Sequence, residues 1–133
     1  MNTSQTIERT ALTQLVTNEQ YARKVLPFMK GDYFADKIER TVFEEITKFV
    51  DKYNKIPTQT SLEIEVSGRK DLNEEEFKKI VAVIQTLEST DVDFEWLVNT
   101  TEQFCKDKAV YNATVEGISI IDGKDKQRGP DAI

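Results

Sequence analysis

A chain of 133 residues with no histidine and a single cysteine, Cys105, lacks several chemistries before any motif is sought. Imidazole acid–base catalysis, Ser/His and Cys/His nucleophile pairs and His-ligated metals are excluded, and one thiol makes neither an internal disulfide nor a cysteine-based zinc site. Eighteen Lys and Arg against 24 Asp and Glu leave a net charge of −6, a poor match to the phosphate backbone of a duplex.

The opening Met1-Asn2-Thr3-Ser4-Gln5-Thr6 is polar and carries no secretory signal. No stretch approaches the ~18 consecutive apolar residues of a membrane span. A cytoplasmic protein is expected, and with it no meaning for the sequons at Asn99 and Asn112.

Helical spacing of Ile7, Ala11, Leu12, Leu15 and Val16 predicts a first amphipathic helix over 4–17. Asn18 reads as the N-cap of a short second helix with Tyr21, Ala22 and Val25 on its buried side, stopping near Pro27. Met29–Phe34 reads as a loop with aromatic anchors. A third helix over 36–54 carries Ile38, Val42, Phe43, Ile46, Phe49, Val50 and Tyr53 on one stripe. Thr60 and Glu63 have capping-box spacing for a short helix. The alternation of Leu62, Ile64 and Val66 fits a strand equally well, so both stand open. Asn73 and Glu76 repeat the capping signal for a helix bearing Phe77, Ile80, Val81, Ile84 and Leu87, ending near Ser89. Asp93 then caps the longest element, 94–122, closed by Asp122-Gly123. The expected class is all-α, with a compact helical head over 1–92, a long helix over 93–123 and a linker over 124–133.

The long helix has too much apolar surface for one contact. With Ala109 placed at 0°, Ile120, Ala113, Gly117, Val110 and Ile121 span roughly 20° to 120° of its circumference. Ile118, Tyr111 and Val115 span roughly 180° to 240°. The polar or small sector holds Asn112, Glu116 and Ser119, with Cys105 and Thr101 a few turns back. Either this is a central core helix, or one of its sides meets something outside the chain. The linker Lys124–Gly129 followed by Pro130-Asp131-Ala132-Ile133 resembles the first turn of a further helix. It favours the second alternative and an expectation that the chain is the first part of a longer protein.

Motifs for chemistry are missing. No glycine opens the phosphate loop G-x-x-x-x-G-K-[ST], and Gly123-Lys124-Asp125 lacks its hydroxyl. Asp91-Val92-Asp93-Phe94-Glu95 begins like an EF-hand, but Trp96 stands where the turn needs glycine. Glu44-Glu45 and Glu63/Glu65 read as solvated faces, and Cys105 as a packing residue. No catalytic, cofactor-binding or metal-binding residue is expected. Arg23, Lys24 and Lys30 near Tyr21, Phe28, Tyr33 and Phe34 have the composition of single-strand binders. Most of those aromatics fall on expected core positions.

The stretches Gln20–Met29 (QYARKVLPFM), Thr41–Ile46 (TVFEEI), Lys52–Pro57 (KYNKIP), Trp96–Glu102 (WLVNTTE) and Lys108–Ala113 (KAVYNA) resemble, in this order, the N-terminal domain of replicative DNA helicases of the DnaB family. Within that family they look most like the T-even-type phage primase–helicases. The resemblance implies a helical head followed by a helical hairpin, the helix at 94–122 being its first arm and the segment from Pro130 the start of its second. It also implies a hexameric ring in which hairpins pair subunits and the N-terminal domains form a collar that receives a primase. ATP or GTP with Mg²⁺ is implied for a motor domain outside this chain, and none within it. Tyr111, Val115, Ile118 and Ile121 are the residues expected at the subunit interface. Tight DNA binding is not expected. The alternative is a stand-alone single-strand DNA-binding or helicase-loader-like helical module.

Overall fold

The computed structural model describes the backbone of residues 3–123 and the side chains of 6–117. Six α-helices follow one another among the described residues: α1 (Thr3–Thr17), α2 (Glu19–Val25), α3 (Lys37–Tyr53), α4 (Gln59–Ser67), α5 (Glu74–Gln85) and α6 (Phe94–Gly123). No strand occurs among them.

Local chemistry places most of the boundaries. The Asn18 side chain accepts from the Tyr21 amide at 3.1 Å and starts α2, which Pro27 converts into a 3-10 turn at Leu26–Phe28. The Asp36 carboxylate accepts from the Ile38 amide at 2.7 Å and starts α3. Asn54 ends α3 in the left-handed region, φ 55°, a conformation that asparagine tolerates better than most residues. Asn73 and Glu76 form a reciprocal capping box at the head of α5. Asp93 accepts from the Trp96 amide at 2.8 Å, so the acidic run that begins like an EF-hand serves as the cap of α6.

Three expectations are corrected. The segment Met29–Phe34 is not a plain loop: it carries a second 3-10 turn at Gly31–Tyr33. That turn drives Tyr33 and Phe34 into the core, where the Phe34 ring lies 4.9 Å from that of Phe43. The ambiguous segment is the helix α4, capped two residues earlier than expected, by Thr58 and Ser61. Leu62 and Val66, four apart, are both fully buried while Ile64 is 65% exposed. A strand would have set all three on one face; a helix separates the third. Finally, α5 stops at Gln85, short of Ser89. The Thr86 hydroxyl donates to the Val83 carbonyl at 2.6 Å and accepts from Arg9 Nη1 at 3.0 Å, tying the end of α5 to α1.

α3 runs through the middle, packed by α5, α4 and α1, while α2 and α6 close the other side of α1. One continuous core joins Leu12, Leu15, Val25, Phe34, Ile46, Leu62, Ile80 and Ile84. Burying each such side chain contributes roughly 1.5–3 kcal/mol. The root of α6 belongs to the same core through Leu97, Val98, Phe104 and Cys105.

Candidate assembly surface

Apart from Leu97, Val98 and Phe104 at its root, α6 meets the head through the sector that looks polar on a helical wheel. Thr101 is 1% exposed, and its hydroxyl shares a 2.7 Å hydrogen bond with that of Tyr21 on α2. Cys105, one turn on, is buried, and burial pushes its thiol up to about 11, with Glu102 adding to the effect. Two further turns on, the Asn112 amide donates to the Asp32 carbonyl at 3.1 Å. Polar groups of α6 are thus satisfied by polar groups of the head, at a buried position for Thr101 and a half-buried one for Asn112.

Among the described residues, the members of both apolar sectors consequently turn away from the head. Val110 is 67% exposed, Tyr111 62% and Val115 46%. Ala109 and Ala113 are exposed as well. A Cβ added at Gly117 would meet nothing within 4 Å, so no packing within the described chain accounts for a glycine inside a helix, where it costs about 1 kcal/mol relative to alanine. The alternative of a central core helix therefore holds for the root of α6 only.

Among the residues expected at a subunit interface, Tyr111 and Val115 lie one turn apart on a single uncovered face. The side chains of Ile118 and Ile121 lie outside the described residues. Sequence reasoning did not single out Val110 as an interface residue, although the wheel placed it among the apolar positions. Nor did it single out Lys108, whose ammonium stands 5.8 Å from the centre of the Phe104 ring and 5.7 Å from that of Tyr111. Its signal was available in the spacing of Phe104, Lys108, Tyr111 and Val115, four, three and four apart, which puts them on one stripe. An exposed cation over an aromatic face contributes about 0.5–1 kcal/mol.

Elsewhere the surface offers less. A groove of about 430 Å³ between α2 and the end of α3 has Ala22, Leu26, Pro27, Val50 and Ile56 among its lining residues. At its rim Arg23 sits 3.6 Å from Glu19 and donates to the Asn54 carbonyl at 3.3 Å. The aromatics near Arg23, Lys24 and Lys30 do not form a stacking platform, because Tyr21, Tyr33 and Phe34 are buried and single-strand binding needs open ring faces. Of the paired acids, Glu45 is buried and held by Arg69 at 3.1 Å and Lys48 at 3.4 Å, and Glu63 accepts from Gln85 at 3.1 Å.

The residues of this chain do not fit the nucleotide and Mg²⁺ that the resemblance implies for a motor. The sequence has no phosphate loop, and no three acidic or sulfur ligands converge among the described residues. No described helix is long and apolar enough to cross a membrane.

No protein-family model matches the chain. Over 109 residues it is 28% identical to a DnaB-like replicative helicase of Enterobacteria phage T4, an alignment that takes in 82% of this chain and 23% of that protein. The chain thus spans less than a quarter of the length of the curated relative it matches. This distant similarity agrees with the resemblance to the DnaB family.

Proposed function

We propose that this chain is the N-terminal collar domain of a hexameric replicative DNA helicase, an assembly and primase-docking part that carries no motor. The observation behind this reading is the orientation of α6. Its polar sector is spent on the head, while Val110, Tyr111 and Val115 project from it uncovered. A second copy, or the returning arm of a hairpin, laid on that face gives the helix the burial that its apolar residues otherwise lack. Covering three such side chains contributes about 1.5–3 kcal/mol each before ordering costs are subtracted. The similarity to a DnaB-like replicative helicase supports the helicase part of this reading; the ring is what the resemblance to the DnaB family implies. The nucleotide, Mg²⁺ and unwinding activity belong, in this reading, to a motor domain carried elsewhere in the protein.

The paired substitutions Tyr111→Ser and Val115→Asp test it, placed in the helicase-length protein and followed by sedimentation velocity. We expect loss or misassembly of the ring. Urea melts of the 133-residue chain are expected to change by no more than about 1 kcal/mol, the Lys108 contact with the Tyr111 ring being lost and exposed positions otherwise costing little. A ring that sediments unchanged removes this face from the assembly. A salt titration of oligonucleotide binding addresses the single-strand DNA-binding alternative, since phosphate contacts give a steep slope; weak, shallow binding is expected.

A further inference from the structure

Glu8, in α1, is fully buried. Its Oε1 accepts from the Ala35 amide at 2.9 Å, and its Oε2 has no hydrogen-bond partner. An ionised carboxylate has about four acceptor sites to fill, and a single amide leaves most of a buried charge uncompensated. The groups facing it come from each element packed around it. Glu39 of α3 is itself 3% exposed and is held by Arg9 Nε at 2.7 Å. Asp36, at the start of α3, adds a second negative charge and Lys108 of α6 a positive one. Arg9, the neighbour of Glu8 in sequence, is turned onto Glu39 and Thr86. Burial raises the Glu8 carboxyl above its ordinary range; the Ala35 amide works against this, Glu39 with it, Lys108 against it and Asp36 with it.

These contacts define two arrangements. A neutral Glu8 makes no demand on Lys108, whose ammonium then rests between the Phe104 and Tyr111 rings. An ionised Glu8 needs a cation, and Arg9 is already taken by Glu39. Lys108 makes no ion pair among the described residues, and it lines one groove with Ile7, the neighbour of Glu8 in α1, which puts it on the α6 side of the same junction. We infer that Glu8 is a proton-controlled latch at the root of the projecting half of α6: neutral, it closes the junction of α1, α3 and α6, and ionised, it draws Lys108 off the Tyr111 ring toward α1. The proton leaves to solvent and no other bond changes. The inference stands apart from the assembly reading, because it concerns contacts within one chain.

Linkage gives the sign. The folded carboxyl titrates above the unfolded value of 4.5, so its stabilising contribution is complete below that pH and is lost as pH rises through the folded value. The test is a carboxyl-carbon NMR titration of the 133-residue chain between pH 4 and 8, with the Tyr111 ring signals followed in the same samples. We expect Glu8 to titrate above the exposed glutamates and the Tyr111 signals to move with the same midpoint. In Lys108→Met the Tyr111 movement is expected to vanish while the Glu8 titration remains. Glu8→Gln is expected to remove both, together with the loss of urea stability over that pH range. A Glu8 midpoint in the ordinary glutamate range overturns the inference. So does a raised midpoint that leaves Tyr111 unmoved. Should Glu8→Gln not fold, the parent chain and Lys108→Met decide by themselves.

Discussion

The seat of α6 on the head is tested most directly by Tyr21→Phe, which deletes one oxygen and keeps the ring. The Tyr21 hydroxyl and the Thr101 hydroxyl meet at 2.7 Å, at 0% and 1% exposure of their residues. Burial pushes the Tyr21 hydroxyl well above the ordinary phenol range, partly offset by its bond to Thr101, so it remains protonated throughout any practical pH range. Removing it forfeits a hydrogen bond of about 0.5–1.5 kcal/mol net and leaves the Thr101 hydroxyl in a site closed to water, which costs about 1–3 kcal/mol if no new partner is found. A helical threonine has a fallback in the carbonyl four residues back, which holds the expected loss to about 1–2 kcal/mol. Thr101→Val costs a similar amount by orphaning the tyrosine instead. The double variant replaces both polar groups by apolar surface and is expected to be more stable than the sum of the singles, with a coupling of about 1 kcal/mol. Urea denaturation followed by far-UV circular dichroism reads all four proteins, with the midpoint moving and the slope unchanged. Strictly additive single losses would refute the direct bond, and a Tyr21→Phe chain as stable as its parent would remove the energetic role assigned to it.

Cys105 is expected to alkylate slowly with iodoacetamide at pH 7.5, because its thiol is pushed up to about 11 and its side chain is buried; a native rate equal to that in urea would contradict this. Arg69→Met is expected to cost about 1–2 kcal/mol in urea melts. It leaves the buried Glu45 with Lys48 alone, and the 22% exposure of the arginine side chain discounts the larger loss seen for fully buried pairs. The same substitution frees Asp71, which Arg69 holds down at about 2. A depressed acid contributes stability above its ordinary value of 3.8 that is lost as pH falls toward about 2, so the acid-unfolding curve of Arg69→Met is expected to lose that dependence.

The helices and most of their ends are properties of the sequence alone. Caps work within one turn, so Asn18, Asn73 and Asp93 announce α2, α5 and α6 by their own side chains. The 3.6-residue stripe along Val42, Phe43 and Ile46 needs only a core to face. Where two local patterns competed, at Leu62, Ile64 and Val66, burial decided for the helix. The exposed apolar face was half legible: the wheel shows two apolar sectors on α6 and picks out Tyr111 and Val115, but it does not say which side the head takes. That choice rests on Tyr21 and on the Asp32 carbonyl, each 80 residues away from its partner on α6. Periodicity treats a polar side chain as one that seeks water, whereas Thr101 and Asn112 find their partners in protein. The burial of Glu8 has the same origin. Its place on α1 is written in the sequence, but its charged surroundings, Glu39, Asp36 and Lys108, come together only when α3 and α6 close over it.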